Sequence, residues 1–319
     1  MSNLKIFSDD LPINGKRIIV RLDLNVPISN SKIDDTTRIE VVEPFINSLI
    51  EKKAKIILLS HLGRPKGKIV PELSLKPIFK YLEKNLIGKV NFYDGNIDSK
   101  AIDASKKLKS GEVLLFENIR FFKEEEADDE KFAKNLSNLG DIFINEAFSC
   151  SHRKQASIHK ITKFIESFGG PILKKEIQSI ELITNNKKKP VTCIIGGSKV
   201  STKINILSTL SEKAENLIIV GAMANNFLKF KGVNVGASLL EGGSEGVIRK
   251  IIDLAKKNKC RIIIPIDCNT SSKFNGDATY KTLKSLDSND IILDIGKDTI
   301  NLIEDIIDSS NTVFWNGPA

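Results

Sequence analysis

The side chains best suited to anion chemistry are concentrated in the first half of this 319-residue chain. Only eight of its 48 basic residues are arginines, yet six of those arginines lie within the first 153 residues and all three histidines lie within the first 159. A guanidinium binds a carboxylate or a phosphate through two parallel N–H donors, which an ammonium cannot do. The candidates are Arg38, the loop formed by His61, Leu62, Gly63 and Arg64, and the more distant Arg120 and Arg153.

These basic loops predict a site for a small acid with more than one negative charge, provided that the loops converge. Most of them follow predicted strands, and the carboxyl ends of parallel strands meet at one edge of a sheet. Each charged hydrogen bond would contribute about 1.5–3 kcal/mol, so several would hold such an acid in one orientation. The alternative is that loops are polar in any protein, which explains one or two of these residues but not the whole set.

The stretch RLDLNVP (21–27) adds oxygen and nitrogen groups to the same region. Its apolar residues alternate with Arg21, Asp23 and Asn25, which predicts a strand over 17–25 with these three side chains on one face. That face is either simply hydrated or part of the site. In the second case, Asp23 and Asn25 would accept from and donate to hydroxyl groups of the bound acid.

The second half opens with GGSKVSTKI (196–204), which predicts a strand end, a glycine turn and a helix. Glycines allow a phosphate to approach the backbone, and the first N–H groups of a helix are free to bind it. Lys199 and Lys203 are four positions apart, so we expect them on one face of that helix. The segment does not fit the Walker A spacing, and a solvated helix start remains the alternative.

Short β-branched runs alternate with amphipathic segments along the whole chain. The runs cover 17–25, 55–60, 89–94, 112–118 and 141–147 in the first half, and 191–197, 216–222, 261–267, 291–296 and 312–317 in the second. Nearly continuous apolar runs are typical of parallel strands covered on both faces, and segments 38–53 and 245–258 have helical spacing. The acidic run 124–130 is typical of a solvated helix start.

This alternation predicts an α/β protein with two doubly wound parallel-sheet (Rossmann-like) domains. We place the first domain at residues 1–170 and the second at 190–319. A connecting helix and hinge would cover 171–189, beginning at the proline of the Gly-Gly-Pro sequence at 169–171.

Composition narrows the function classes. The net charge is +8, but the lysines are interleaved with acids and aromatic residues make up only 6%, so we predict no nucleic-acid binding. No apolar run approaches the ~18 residues of a membrane span, and the N-terminus has no signal-peptide pattern. The four cysteines form no CxxC pair, as expected of reduced thiols. We therefore expect a cytoplasmic protein with no membrane partner.

Taken together, the motifs closely resemble those of the phosphoglycerate kinase family. The matching stretches are RLDLNVP, DDTTRI, LLSHLGRPKG, LLFENIRF, INEAFSCSHR, GGSKVSTKI, DIG and FWNGP, in this order. The resemblance runs from about residue 5 to the last residue. It implies two α/β domains that face each other across a cleft, and reversible phosphoryl transfer between ATP and the carboxylate of 3-phosphoglycerate in glycolysis or gluconeogenesis.

The resemblance also implies residue roles. The first domain would bind 3-phosphoglycerate or 1,3-bisphosphoglycerate through Asp23, Asn25, Arg38, His61, Leu62, Gly63, Arg64, Arg120 and Arg153, with Arg21 bracing nearby loops. The second would bind ATP or ADP through Gly197, Ser198, Lys199, Lys203, Gly221, Gly296 and Asn316. Arg38, Lys199 and Lys203 would be catalytic. Mg²⁺ would be carried by the nucleotide, no residue would be a dedicated metal ligand, and the protein would be a monomer.

The chain departs from the family pattern at its end. It stops at WNGPA, whereas the family continues into a Gly-rich GGGD loop and a segment that returns to the first domain. We therefore expect the second domain to be incomplete. Two hypotheses follow: an enzyme whose sequence is partial, or a catalytically inactive truncation that only binds phosphoglycerate. A smaller departure is Ala222, at a position where the family often has glycine.

Overall fold

The computed structural model describes residues 4–184 and 188–318. The chain divides into two compact units, Met1–Ile177 and Gln178–Ala319. This division falls inside a helix that begins at Pro171. The boundaries predicted from the sequence, at 170 and 190, stay a prediction.

Within the described ranges, the first unit contains eight strands, six complete helices and the beginning of a seventh. The strands are β1 (Arg17–Arg21), β2 (Ile28–Ser29), β3 (Lys32–Ile33), β4 (Lys55–Leu59), β5 (Val90–Tyr93), β6 (Val113–Phe116), β7 (Ile142–Asn145) and β8 (Ser167–Gly169). The helices are α1 (Thr37–Glu40), α2 (Glu43–Glu51), α3 (Lys76–Asn85), α4 (Ser99–Lys107), α5 (Lys123–Glu126), α6 (Glu130–Ser137) and α7 (Pro171–Thr184), the last of which runs on into the second unit.

Six of these strands form a parallel sheet in the order β5-β6-β4-β1-β7-β8. Successive side chains of a central strand enter two different apolar layers. Ile18 and Val20 of β1 lie in one layer, whereas Ile19 lies in the other. A sheet buried on both faces requires apolar residues at every position, which is why the runs are continuous in the sequence.

β1 is shorter than the sequence pattern predicts. It ends at Arg21, so Asp23 and Asn25 lie in the loop that follows. Leu22 and Leu24 are buried, as their alternation predicts, but Arg21 is fully buried too. Arg21 and Asp23 nevertheless both lie against His61, at 3.3 Å and 3.9 Å, so burial changes the surroundings of Arg21 and not the side of the chain that it shares with Asp23.

Two predictions about helices in the first unit also need correction. The segment 38–53 forms two helices, α1 and α2, with a proline in the first turn of α2. The acidic run 124–130 is not wholly solvated, because Glu125 is fully buried. The acidic composition did not reveal the burial of Glu125, because composition does not report which side of a short helix faces the core.

The second unit contains a parallel sheet and a smaller antiparallel one. Its strands are β9 (Val191–Ile195), β10 (Asn216–Ile219), β11 (Arg261–Ile263), β12 (Asp267–Ser271), β13 (Thr279–Thr282), β14 (Ile291–Ile295) and β15 (Thr312–Asn316). Its helices are α8 (Ile204–Ser211), α9 (Ala222–Phe230), α10 (Glu245–Lys257) and α11 (Lys297–Asp308). The parallel sheet has the order β11-β10-β9-β15.

Both faces of this second parallel sheet are covered as well. Ile195 and Ile219 pack in one apolar layer, and Ile194 and Ile218 pack in the other. The predicted α/β class, with a doubly wound parallel sheet in each half, is confirmed. No helix within the described ranges is long and apolar enough to cross a bilayer.

The antiparallel sheet was not predicted. β14 pairs with β12, and β12 pairs with β13, all antiparallel. The sequence places Asp267 at the end of a parallel strand, but β11 ends at Ile263 and Asp267 begins β12. A β-branched run favours an extended strand without specifying its partner, and this is why the pattern failed here.

Candidate active site

The carboxyl edge of the first sheet gathers charged side chains around Asp23. Its carboxylate accepts hydrogen bonds from Nη1 of Arg38, at 2.8 Å, and from the hydroxyl of Ser149. Its other oxygen lies 3.9 Å from Nε2 of His61. These residues follow β1, β4 and β7 or belong to α1, so the sheet topology unites side chains that are up to 126 positions apart.

The imidazole of His61 is buried and neutral. Burial lowers the pKa of His61 to about 2, and the charges of Arg21, Arg120, Arg153 and Arg38 act in the same direction. Nη2 of Arg21 lies 3.3 Å from Nδ1 and can only donate, so Nδ1 is the acceptor. The ring proton is therefore on Nε2, the nitrogen that faces the carboxylate.

Arg21 braces this arrangement from inside the unit, as expected. Its Nε donates to the hydroxyl of Ser157 at 2.9 Å, and its Nη1 donates to the carbonyl of Leu22. The same Ser157 donates through its N–H and its hydroxyl to Glu125, at 2.9 Å and 2.6 Å. Burial raises the pKa of Glu125, and the charge of Arg21 opposes that shift.

Arg120 is the most deeply placed charge of the cluster that is not fully paired. Its side chain is 2% exposed, and its Nη1 donates to the carbonyl of Gly63 at 2.8 Å. Nε and Nη2 are buried without a hydrogen-bond partner in the described chain, although Nε lies 3.8 Å from Glu126. Burial lowers the pKa of Arg120, as does the charge of Arg153. Two donor nitrogens of this guanidinium are thus left without a hydrogen bond in the described residues.

The remaining predicted residues have different surroundings. Oδ1 of Asn25 accepts the N–H of Gly63 at 2.8 Å, and Nδ2 of Asn118 donates to the carbonyl of Leu62 at 2.7 Å. Arg64 is exposed and makes no hydrogen bond or ion pair with the described residues. The structure therefore brings together Asp23, Arg38, His61, Arg120 and Arg153, uses Asn25, Leu62 and Gly63 to hold the loop, and leaves Arg64 exposed.

Asp23, His61 and Cys150 form the one group of three potential metal-ligating side chains in the described ranges, with their ligand atoms within 4.8 Å of one another. A divalent cation does not suit this group. Asp23 already accepts from a guanidinium, and Nδ1 of His61 accepts from another. The surrounding guanidinium charges would repel a cation, so the site suits an anion.

The second unit contains a cavity of about 680 Å³ at the carboxyl end of β9 and the start of α9. This volume is within the usual range for small-molecule sites, and so is a mostly apolar lining with few polar groups. The lining includes Gly197, Ser198, Gly221, Ala222, Asn225, Leu228, Leu239, Pro265, Cys268, Phe274, Ile291–Ile295 and Pro318.

Lys203 is held beside the glycine turn that follows β9. Its Nζ donates to the carbonyl of Gly196 and to Oδ1 of Asn316, both at 2.8 Å. Burial lowers the pKa of Lys203. Lys199 is exposed and precedes the single 3-10 turn Ser201–Lys203 that leads into α8. The expectation that Lys199 and Lys203 share one helical face is therefore wrong.

Gly296 and Asn316 do not line the cavity. Asn316 binds Lys203, as described above. Gly296 precedes α11, where a Cβ would lie 2.3 Å from the carboxylate of Asp267. That buried carboxylate accepts the first N–H groups of α11, from Asp298 and Thr299, at 2.8 Å each. Glycine at 296 thus makes room for a distant helix cap.

Sequence reasoning missed several residues at both locations. Ser149 and Cys150 lie against Asp23 and His61, and their position just before Arg153 in the chain was the available signal. Asn225 lines the cavity from α9. Its place one helical turn after a strand-end glycine could have indicated it.

Comparison with known proteins agrees with the motifs. Residues 8–319 match the family described as "Phosphoglycerate kinase". The chain belongs to the phosphoglycerate kinase family. The family's kinase activity, its ATP binding and its part in glycolysis are therefore those of this chain, and the function predicted from the motifs is confirmed.

Curated phosphoglycerate kinases from two bacteria illustrate the similarity. The protein of Wolbachia pipientis wMel is 43% identical over 312 residues, which are 97% of this chain and 78% of that protein. The protein of Brucella suis biovar 1 is also 43% identical, over 97% of this chain and 79% of its own length.

Solved phosphoglycerate kinase structures share the fold. The Coxiella burnetii structure has a TM-score of 0.78 at 35% identity, covering 97% of this chain and 79% of that one. The Pyrococcus horikoshii OT3 structure has a TM-score of 0.82 at 27% identity, covering 98% of this chain and 80% of that one.

Proposed function

We propose that the first unit binds 3-phosphoglycerate or 1,3-bisphosphoglycerate and that the second unit binds ATP or ADP. The observation that carries the proposal is the buried guanidinium of Arg120, two of whose donors lack a partner. An unmade hydrogen bond of a buried charged group is costly, and an anionic ligand relieves that cost. The neighbouring Arg38 and Arg153 add further charge for an acid with two anionic groups.

The groups around Asp23 would orient the three-carbon acid. His61 offers its Nε2–H as a hydrogen-bond donor, and its imidazole stays uncharged near neutral pH. Asp23 and Asn25 can bind hydroxyl groups of the acid, as the motif resemblance implies. Arg38 has four N–H donors left beyond the one that it gives to Asp23. It can therefore bind the phosphoryl group during transfer while it keeps its hydrogen bond to Asp23.

In the second unit, the cavity would take the base and ribose, and the glycine turn would take the phosphates. Gly197 and Ser198 line the cavity at its border with Lys203. An ammonium has three N–H donors, and Lys203 uses two of them on Gly196 and Asn316. The third is available to a phosphate oxygen. Lys199 is exposed beside the same turn and would add a second charge.

The reaction needs positioning rather than a general base. A carboxylate oxygen of 3-phosphoglycerate attacks the γ-phosphorus of ATP in line; the new O–P bond forms while the bond to the ADP oxygen breaks. In the other direction, ADP attacks the acyl phosphate. Both nucleophiles are already ionised, so Arg38, Lys199 and Lys203 act by stabilising charge on the transferred group.

Mg²⁺ would arrive with the nucleotide. In the second unit, the described residues offer no group of three potential ligand side chains, and Mg²⁺ prefers phosphate oxygens and water in such sites. When bound, the ion neutralises charge on the β- and γ-phosphates. A cytoplasmic location and a monomeric state stay predictions.

Separate titrations of the two ligands test this assignment. Isothermal titration calorimetry should give a weaker Kd for 3-phosphoglycerate in Arg153→Ala with an unchanged Kd for ADP, and the reverse in Lys199→Ala. Arg249→Ala is the control, because Arg249 is exposed on α10 and stacks on Phe230, 5.5 Å from its ring centre. Equal loss of both ligands in either variant would contradict the proposal.

A further inference from the structure

Glu146 is a buried carboxylate at the edge of the first sheet that the proposed reaction does not use. It follows β7 directly, and its N–H donates to the carbonyl of Arg21 at 2.9 Å. Only 4% of Glu146 is exposed. A buried acid of this kind needs partners, because an unpaired carboxylate in the interior is strongly unfavourable.

The partners of Glu146 are the first free N–H groups of α7. Its carboxylate accepts from the backbone of Leu173 at 2.9 Å and of Ile172 at 3.3 Å. Pro171 has no N–H, so these two groups are the ones that an N-cap residue normally satisfies. Burial raises the pKa of Glu146 to about 7, although the two N–H groups favour the carboxylate.

Gly170, which directly precedes α7, has no side chain that could cap the helix, and the carboxylate of Glu146 lies beside it. A Cβ at Gly170 would lie 2.2 Å from Cδ and Oε1 of Glu146. Any larger side chain at 170 would therefore displace the carboxylate. The helix thus receives its cap from a strand end that lies far away in the sequence, instead of from a local Ser, Thr or Asp.

After Glu146, the chain enters the loop 147–153 of the proposed substrate site. The next residue, Ala147, donates its N–H to Oδ1 of Asn145 at 2.9 Å and accepts from the hydroxyl of Ser151 at 2.9 Å. The hydroxyl of Ser149, in the same loop, donates to Asp23. The loop ends at Arg153, whose N–H donates to the carbonyl of Cys150 at 2.9 Å.

We propose that Glu146 is a positioning residue for the phosphoglycerate site: it fixes the loop 147–153, and with it Arg153 and Ser149, to the first turn of α7. The inference rests on the proposed binding of phosphoglycerate by the first unit. Glu146 itself does not touch the ligand. It acts by fixing the α7 end of a short, hydrogen-bonded path that runs through the loop 147–153 to the anion cluster.

Glu146→Gln tests the inference while keeping the shape of the side chain. The amide has one acceptor oxygen, and its NH₂ group faces a backbone donor, so one N–H of α7 loses its partner. We expect the Kd for 3-phosphoglycerate, measured by calorimetry on the full chain, to rise about tenfold while the Kd for ADP is unchanged. Glu146→Asp keeps a carboxylate and should restore most of the affinity.

Asp98→Asn is the matched control. Asp98 caps α4 in the same unit by accepting from Lys100 and Ala101, at 2.9 Å and 3.3 Å, far from the site loops in the sequence. This variant should lose stability without a change in either Kd. Should Glu146→Gln fold poorly, Gly170→Ala offers a second route, because its methyl group displaces the carboxylate, and it should weaken 3-phosphoglycerate binding in the same selective way.

The outcomes separate this inference from the proposed function. A wild-type chain that does not bind 3-phosphoglycerate would overturn the proposed function and the inference with it. Normal binding by the wild type, together with an unchanged 3-phosphoglycerate Kd in Glu146→Gln, would overturn the inference alone. Equal weakening of both ligands would also overturn it, since that result is general destabilisation rather than positioning.

Discussion

Arg120 allows a sharp test because its burial should cost stability in the absence of ligand. The guanidinium is 2% exposed, with one hydrogen bond to Gly63 and two donors without a partner. Replacing a buried, poorly paired charge by an apolar side chain of similar volume is often neutral or stabilising. Arg120→Met fills the same space and removes both unpaired donors.

The expected magnitudes follow from the hydrogen bonds. Relieving two unsatisfied donors gains about 1–3 kcal/mol each, and losing the charged bond to Gly63 costs about 1.5–3 kcal/mol. We therefore expect the ligand-free variant to be more stable than the wild type by about 1–3 kcal/mol. Two charged bonds to the substrate are lost at the same time, so the Kd for 3-phosphoglycerate should rise by about 10²–10⁴.

Urea unfolding followed by circular dichroism, with and without 3-phosphoglycerate, measures both effects. At a ligand concentration of 100 times its Kd, the wild type should gain about 2.7 kcal/mol. A variant with a Kd 100-fold higher should gain only about 0.4 kcal/mol at that concentration. Arg120→Lys is the control, because lysine keeps a buried charge but lacks the planar guanidinium that binds an anion through two nitrogens. This variant should be less stable than the Met variant.

Two results would refute this reasoning. If Arg120→Met unfolds more easily than the wild type by ~2 kcal/mol or more, the guanidinium is well satisfied in the free protein, and its role is structural. If the variant keeps the full ligand-induced gain, the two donors do not bind the substrate. Either result would remove the observation on which the proposed substrate site depends.

Three further predictions concern other side chains. Arg38→Ala should lose most of the activity in a coupled assay with Mg·ATP and 3-phosphoglycerate while the fold survives, because the side chain of Arg38 is half exposed; full activity would contradict its role. Lys203→Ala should also lose most activity, since it removes the ammonium that donates to Gly196 and Asn316. Lys203→Met, which keeps the length of the side chain but removes the charge, should lose as much activity in the same assay. The pKa of His61 falls from 6.5 to about 2 on folding, so only the unfolded state takes up a proton as pH falls below 6.5. The unfolding free energy should therefore drop by about 2 kcal/mol between pH 6.5 and 4.5 because of this group. Urea titrations should show a correspondingly shallower pH dependence for His61→Asn.

Much of the fold could be predicted because its signals are local. In β1, β4, β9 and β10, continuous apolar runs mark strands whose two faces are both buried, and these runs gave the parallel sheets correctly. The antiparallel strands escaped prediction for the opposite reason. β12 (DCNTS) and β13 (TYKT) are polar, and the apolar run of β14 is indistinguishable from a parallel strand until its partner is known.

The sequence by itself determined which chemistry the chain carries, because Arg38 and Lys203 each lie in an unbroken and unusual motif, DDTTRI and GGSKVSTKI. Only the tertiary structure decided how each side chain is used. Arg21 looked like part of a polar strand face, yet it is buried against Ser157, 136 positions later in the chain. Glu146 follows a strand, and only the fold shows that it caps a helix that begins at Pro171. Burial and long-range hydrogen bonds depend on which segments pack together, and no local pattern of residues contains that information.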